Sequence, residues 1–507
     1  TVNGKPVNKI LVNGKPFFGN DPTIVTKNLT KEIIEKVQIS DTKTKSEAFT
    51  GEKGDKNNKT INLTIKKENN KGWFGRLAAG TGTDNHYEYA GIVNRFDNDT
   101  RISVLFGGND LNTPGFSFGE IQKMFGNSGS ISFNGNGSFS VGNRSFGSGQ
   151  GIVKSKNGGF TYADKFGKKV DINTDYFYSG SDSQNKSSRN RETFLPTGSF
   201  FLNSNSTQDN EYNNHSLNTD IDIKVDSTLL INIKPSFTFN NRKGVETNYS
   251  ESLDENKILK NKSDSRNIID SKNNNFRNSL SISKKLGKKG NSLRATIITQ
   301  VDKNEGDNYN LSEIEVVNSS TEKRNQYSDI DSEYKKLETR LSYRHALISK
   351  KLFLNFDYSY STDERENIRS TYDFDDTQQD YINFNDALST NFTYKNTKST
   401  PSIRLSYNTK KGSFRIKGGY AFRNIKSEDK LRPNLNLNRD FKAFESNISF
   451  YRRLANKASV YTSYNLSNSI PSVTQIQPFT NETNPLNIIT GNPDLKPIKN
   501  HRFSINY

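Results

Sequence analysis

The chain has 507 residues, 72 Lys and Arg against 55 Asp and Glu for a net charge of +17, 31% hydrophobic residues and no cysteine. A disulfide framework and a cysteine-ligated zinc site are therefore excluded. Mean hydropathy is −0.85 and nowhere do about 18 apolar residues run together, so no transmembrane helix is encoded. The basic residues are interspersed with Asp, Glu and Asn, and no recognition helix or zinc knuckle accompanies them, so nucleic acid is not an expected partner.

Residues 1–70 differ in kind from the rest. Asn-Gly-Lys-Pro occurs twice, at Asn3–Pro6 and Asn13–Pro16, and Asn-Gly favours tight turns with positive φ, which predicts small hairpins. The run Leu29–Val37 predicts a short helix, with Thr30 as its cap and Ile33, Ile34 and Val37 on one face. Thr60–Lys66 alternates as a strand. Together they predict a small α+β unit ahead of a different architecture.

From residue 71 onward the chain alternates on two scales. Ile221, Ile223 and Val225 alternate with Asp220, Asp222 and Lys224; Leu229, Ile231, Ile233, Phe237 and Phe239 share one face of the next run; Leu352, Leu354, Phe356, Tyr358 and Tyr360 alternate with Asn355, Asp357 and Ser359. Such strands have one oily and one wet face. Short turns near 97–100, 164–168, 226–228, 287–291, 348–350, 409–412 and 454–456 alternate with long connections at about 108–158, 180–214, 241–274, 303–333, 362–400, 425–441 and 467–499. All short turns then fall at one end of the sheet and all long loops at the other, which is the layout of an outer-membrane β-barrel. A strand of about 10 residues, tilted near 45°, covers roughly 23 Å of membrane normal, close to the apolar band of such barrels. A soluble sandwich would instead turn every 8 to 12 residues or so and keep both ends short.

The expected fold is all-β: about 16 antiparallel strands in residues 71–507, behind a small unit in residues 1–70. Ile221, Ile223, Ile231 and Ile233 should face lipid, with Asn232 turned to the lumen and tolerant of arginine. Asp220, Asp222, Lys224, Arg340, Arg344, Arg404, Arg415 and Lys417 should also face the lumen. Aromatic pairs near strand ends, such as Tyr176 and Tyr178 or Tyr420 and Phe422, suit an interfacial girdle as well as ordinary strand propensity. Paired lysines in the short turns, such as Lys168 with Lys169 and Lys410 with Lys411, read as solvated turn residues or as contacts to anionic headgroups.

No enzymatic constellation stands out. His86, His215, His345 and His501 lie in separate strands or at strand starts, with no metal or nucleophile spacing. Gly126–Gly159 lacks the strand and helix that a phosphate loop needs, and reads as a long external loop or one folded into the lumen. Asp97-Asn98-Asp99 reads as a turn before it reads as a calcium site. Neither a cofactor nor a metal is expected.

The run Ile10–Pro22, followed by Ile33–Ile39 and Thr60–Ile65, resembles the plug domain of TonB-dependent outer-membrane receptors, more narrowly the "outer membrane protein β-barrel" receptors of Bacteroidetes. Gly491-Asn492-Pro493-Asp494-Leu495-Lys496-Pro497 is similar to a motif inside the barrels of such receptors. The resemblance implies a partial plug at 1–70 and a barrel at 71–507 cut down from about 22 strands. The last strand, in which Phe503, Ile505 and Tyr507 alternate with Arg502, Ser504 and Asn506, ends on an aromatic and leaves a complete smaller barrel as the alternative. It implies active uptake of a siderophore, glycan or peptide, energised by a TonB-type complex that acts through an N-terminal segment ahead of residue 1. It also implies outer-membrane lipid as surroundings and a surface lipoprotein as a candidate partner. A second expectation from the same residues is a structural barrel that transports nothing and supports a surface lipoprotein or secretion complex.

Overall fold

The structure is a computed structural model. It describes residues 7–16, 34–112, 131–133, 139–141, 144–146 and 151–507, apart from short interruptions at 53, 67, 69, 197, 288–289, 320, 349–350, 455–457, 477–479, 482–488 and 493.

The N-terminal unit is a four-stranded sheet built from β1 (Val7–Val12), β2 (Lys15–Pro16), β3 (Ile34–Thr42) and β4 (Asp55–Ile65), with the helix α1 (Lys45–Thr50) between the last two. The expected turn at Asn13-Gly14 is present, with both residues at positive φ. β1 runs parallel to β4, which lines up Ile10 with Ile61 and Val12 with Leu63 and buries Ile10, Val12, Leu63 and Ile65. The helix expected over 29–37 is corrected where it can be seen: from Ile34 the chain is strand β3, pairing Val37 with Leu63 and Ile39 with Ile61. Ile34, Val37 and Ile39 are β-branched and stiff at χ1, and the ladder with β4 overrides the helical spacing of Ile33, Ile34 and Val37. Residues 29–33 lie outside the described residues. The helix forms instead at Lys45–Thr50, where Thr44 and Glu47 make a reciprocal capping box and Gly51 ends it at φ 75°.

The wall begins with β5 (Lys71–Thr81), β6 (Tyr87–Asp97) and β7 (Thr100–Asn109). Three short strands, β8 (Ile131–Phe133), β9 (Phe139–Val141) and β10 (Arg144–Phe146), form a separate sheet. The wall continues through β11 (Ile152–Phe166), β12 (Val170–Leu195), β13 (Gly198–Lys224), β14 (Leu229–Leu253), β15 (Leu259–Leu286), β16 (Asn291–Val316), β17 (Glu322–Ile348), β18 (Leu352–Asp375), β19 (Asp380–Phe384), β20 (Thr390–Asn408), β21 (Gly412–Asp429), β22 (Leu437–Arg453) and β23 (Ser459–Ser469). After the two-residue strands β24 (Thr480–Asn481) and β25 (Ile489–Thr490), β26 (Ile498–Asn506) completes it.

The wall is a closed barrel: β7 pairs with β11, and β26 lies beside β5. β19 is a lateral addition, since β18 also pairs directly with β20, which leaves sixteen staves. Every measured pairing between staves is antiparallel, as a run of hairpins requires. No helix among the described residues is long and apolar enough to cross a membrane.

The short turns all lie at one end, as expected from their spacing. The long connections differ from expectation. Segments 180–214, 241–274, 303–333 and 362–400 are largely strand, so that β12 to β18 run 24 to 28 residues each. The reason is local. Beyond the apolar belt the outer face is largely polar too, broken mainly by one row that includes Val245, Ile268 and Tyr309, so the oily and wet alternation that marks a strand in sequence fades. The backbone ladder and cross-strand pairs such as Lys243 with Asp270 (3.6 Å) nevertheless continue.

Two faces follow from the register. On the outer face, Ile223, Ile231, Ile282, Ala295, Leu341 and Tyr358 stand opposite one another in turn across six strands. Leu341, Phe356, Ile403, Phe444 and Phe503 remain 47–66% exposed on that face, which a protein surrounded by water would not tolerate as a continuous band. The inner face carries Asp220, Asp222, Asn232, Ser281, Arg294 and Arg344, and it is this face that meets the N-terminal unit.

Candidate functional site: the lumen contact

α1 brings Lys45, Ser46 and Phe49 against the inner wall. Lys45 Nζ lies 2.9 Å from Asp220 and 2.5 Å from Asp222, two inward positions of β13. Asn232 on β14 donates to both carboxylates at 2.7 Å, and Lys234 approaches Asp220 at 3.4 Å. Two carboxylates, two ammonium groups and one amide thus neutralise one another where water is partly excluded. Ser46 Oγ meets Ser281 Oγ at 3.3 Å, and Lys285 Nζ stands 4.1 Å from the centre of the Phe49 ring.

Just past the helix, Glu52 takes a second grip. It accepts from Arg294 at 2.7 Å and pairs with Arg344 at 3.1 Å; the Arg344 guanidinium also lies 3.6 Å from the centre of the Phe353 ring. The left-handed Gly51 that ends the helix lets the chain turn so that Glu52 follows directly. A cleft of about 480 Å³ lies between α1 and the wall towards the short-turn end, lined by Lys45, Phe49, Lys165, Asp220, Asp222 and Lys224 among others.

Of the residues expected to face the lumen, Asp220, Asp222 and Arg344 make the contact itself. Arg404 pairs with Asp357 at 2.7 Å, and Arg340 pairs with Glu338 along its own strand. Lys224 pairs with Asp171 at 3.5 Å at the lower rim. Arg415 and Lys417 share the inner face of β21, opposite Ser406 and Arg404. The residues that sequence reasoning missed are Lys45, Ser46, Glu52 and the bridging role of Asn232. The signal for the first three was the Thr44-x-x-Glu47 capping box, which encloses Lys45 and Ser46 and starts the helix that leads to Glu52.

The remaining candidates stay apart. His86 approaches Asp110 (3.3 Å), while His215 and His501 each meet a tyrosine hydroxyl, that of Tyr176 at 2.8 Å and Tyr464 at 3.0 Å. His345 sits against Tyr343 on the outer face of β17. Asp97-Asn98-Asp99 is a tight turn with Asn98 at φ 57°. No group of three or more His, Cys, Asp or Glu that could hold a metal ion occurs among the described residues. Within Gly126–Gly159 the described residues are the short strands β8 to β10 and residues 151–159, of which Ile152 to Gly159 belong to β11; the rest of that run lies outside the described residues.

A closed antiparallel barrel with a lipid-facing belt, a polar lumen and short turns at one end is an outer-membrane β-barrel, embedded in outer-membrane lipid. Residues 284–507 match the model of the outer membrane protein beta-barrel family. No curated protein matches the chain significantly. Among solved structures the chain is similar to the ferric-catecholate import receptor Fiu from E. coli K12, at 10% identity over 91% of this chain and 78% of that one with a TM-score of 0.33. It is similar to the alcaligin outer-membrane receptor FauA from Bordetella pertussis, at 10% identity over 91% and 72% with a TM-score of 0.31. It is also similar to the siderophore receptor PiuA from Acinetobacter baumannii, at 10% identity over 98% and 82% with a TM-score of 0.30.

Proposed function

We propose that this chain is a ligand-gated outer-membrane transporter of the TonB-dependent kind, in which residues 1–70 are a plug held inside the barrel of residues 71–507. The observation that carries the reading is the character of the lumen contact. α1 and Glu52 meet the wall through Lys45, Ser46 and Glu52, polar groups facing polar groups, with Phe49 under a lysine. A dry apolar interface would act as a fixed core, whereas a polar and hydrated one exchanges its partners for water at small net cost and can release under load. The cargo is a solute too large or too scarce for passive pores, of the siderophore, glycan or peptide class, and energy comes from a periplasmic TonB-type complex pulling on the plug.

The test is deletion of the gene in the producing cell, followed by growth on panels of ferric siderophores, oligosaccharides and peptides as sole iron or carbon source. Loss of growth on one panel member, restored by the gene but not after collapse of the inner-membrane potential, supports transport. Unchanged growth on every panel, together with loss of a surface lipoprotein from the outer membrane, would replace it with the scaffolding role.

A further inference from the structure

Above the lipid belt, the outer face of β14 to β19 carries a feature that the lumen contact does not use. One ladder row there is apolar along its length: Val245 stands opposite Ile268, Ile268 opposite Tyr309, Tyr309 opposite Tyr327, Tyr327 opposite Tyr372, and Tyr372 opposite Phe384. The register runs unbroken from the belt into this row, so these side chains stand on the same face as Ile231 and Tyr358 and project away from the lumen. Tyr309 and Tyr327 have ring centroids 4.9 Å apart, and Tyr381 joins them at 5.6 and 5.9 Å. The rings are held by their polar ends: the Tyr327 hydroxyl donates to Asp307 at 2.6 Å and the Tyr381 hydroxyl to Asn325 at 2.7 Å.

The row is not part of the belt. Charged rows separate them, among them Lys243, Asp270, Asp307 and Asp329 in one, Lys272, Glu305 and Asp331 in the next, and on β16 to β18 also Lys303, Glu333 and Glu366. On β14 Val245 lies six residues beyond Phe239, which at ~3.3 Å per residue and a 45° tilt is roughly 14 Å farther from the bilayer. Acyl chains do not reach it. Next to the row opens a groove of about 650 Å³ on the same face, whose lining includes Tyr249, Asp264, Arg266, Leu311, Glu313 and Asn325.

We propose that this aromatic row and its groove bind the carbohydrate chain of the glycolipid that surrounds the barrel in the outer leaflet. The chemistry fits a sugar. Fixed aromatic rings offer faces and edges for the C–H faces of pyranose rings, and the planar carboxylate, guanidinium and amide groups of Asp264, Arg266 and Asn325 are placed beside them to pair with adjacent hydroxyls. The position fits a membrane neighbour: the row shares the outer face with the lipid belt, faces sideways and begins above the charged rows. Its extent fits a chain, since five strand spacings of about 4.8 Å give roughly 24 Å, several linked sugar rings. This inference stands apart from the transport reading, because it uses only the outer face of the wall.

The test titrates the purified full chain, in detergent micelles, with lipid-free oligosaccharide released by mild acid from the producing cell's lipopolysaccharide, and in parallel with the lipid A portion and with inorganic phosphate. The oligosaccharide should bind, and a Tyr309→Ala/Tyr327→Ala double variant should weaken it at least tenfold while lipid A binding is unchanged. Tyr327→Phe, which keeps the ring, should retain most of the affinity even if the double variant folds poorly. Tyr420→Ala, in the belt, should leave it as it is. Binding of lipid A or phosphate but not of oligosaccharide would overturn the proposal. So would equal oligosaccharide binding by the double variant and the parent, or a Tyr309- and Tyr327-dependent dimer that binds no oligosaccharide.

Discussion

Asn232 sets what a residue's face in the sequence pattern can and cannot say. Alternation places it correctly in the lumen, but not that it is buried and spans Asp220 and Asp222 beside Lys45. Arginine there is therefore not mild, as the pattern alone suggests: it would push into a filled network and displace Lys45. Ser361 is a better inward control, half-buried and opposite Glu338 on β17. Ile231, in the outer belt between Ile223 and Ile282, should lose about 2–4 kcal/mol on change to arginine, the cost near a bilayer midplane. Ser361→Arg should lose less than about 1 kcal/mol, because the lumen solvates the new charge and Glu338 faces it. Folding titrations in lipid bilayers decide the matter, and equal losses would overturn the assignment of the two faces. The alternation was legible because membrane and lumen are different solvents. The Lys45 network was not, because it joins residues nearly 200 positions apart, which no local pattern encodes.

Elements were legible where their two faces differ and illegible where they do not. β14 shows both regimes: Leu229 to Phe239 alternate and read as a strand, whereas Asn240 to Leu253 read as loop yet continue the same ladder. β3 shows a third case, a spacing of Ile34 and Val37 that suits a helix until β4 supplies a partner. The turns that join the staves hold a titratable element. In the β13–β14 turn the Asp226 carboxylate accepts from the Thr228 hydroxyl (2.7 Å), the Thr228 amide (2.6 Å) and the Leu229 amide (2.9 Å), which holds its pKa below the ordinary carboxylate value. A depressed pKa in the folded state stabilises the turn above the unfolded value of about 3.9, and that contribution is lost as pH falls through the folded value. The turn should therefore keep its form from neutral pH down to about 4 and fray only below it. An NMR titration of Asp226 checks this, and a midpoint at or above the ordinary value would show that the hydrogen bonds do not hold the turn in solution.

At the scale of the molecule, sixteen staves were countable from turns and strands. Their closure, with β26 beside β5, was not, since it joins the two ends of residues 71–507 and the reading favoured a remnant of a larger wall. The seating of the N-terminal unit was legible only as a requirement. Among the described residues the sheet buries four aliphatic side chains, few for a domain of its own, which fits a unit that the wall helps to hold. The wall meets it at two polar grips, Lys45 on β13 and Glu52 on β16 and β17, which flank the Ser46 to Ser281 contact. That contact gives a direct test of movement. The chain has no native cysteine, so Ser46→Cys with Ser281→Cys introduces a single thiol pair, at positions whose hydroxyl oxygens already lie 3.3 Å apart. A disulfide needs about 2.05 Å between sulfurs, a distance that small side-chain rotations supply. In the full-length protein under oxidising conditions the crosslinked barrel should assemble and resist heat like the parent, because the bond fixes a contact already made. Uptake of the cargo identified by the growth panels should fall to the level of the gene deletion and return on reduction with dithiothreitol. Normal uptake with the disulfide fully formed would show that α1 does not leave the wall during transport, and the path would then have to run past a stationary N-terminal unit, through the cleft between Lys45, Lys165 and Lys224.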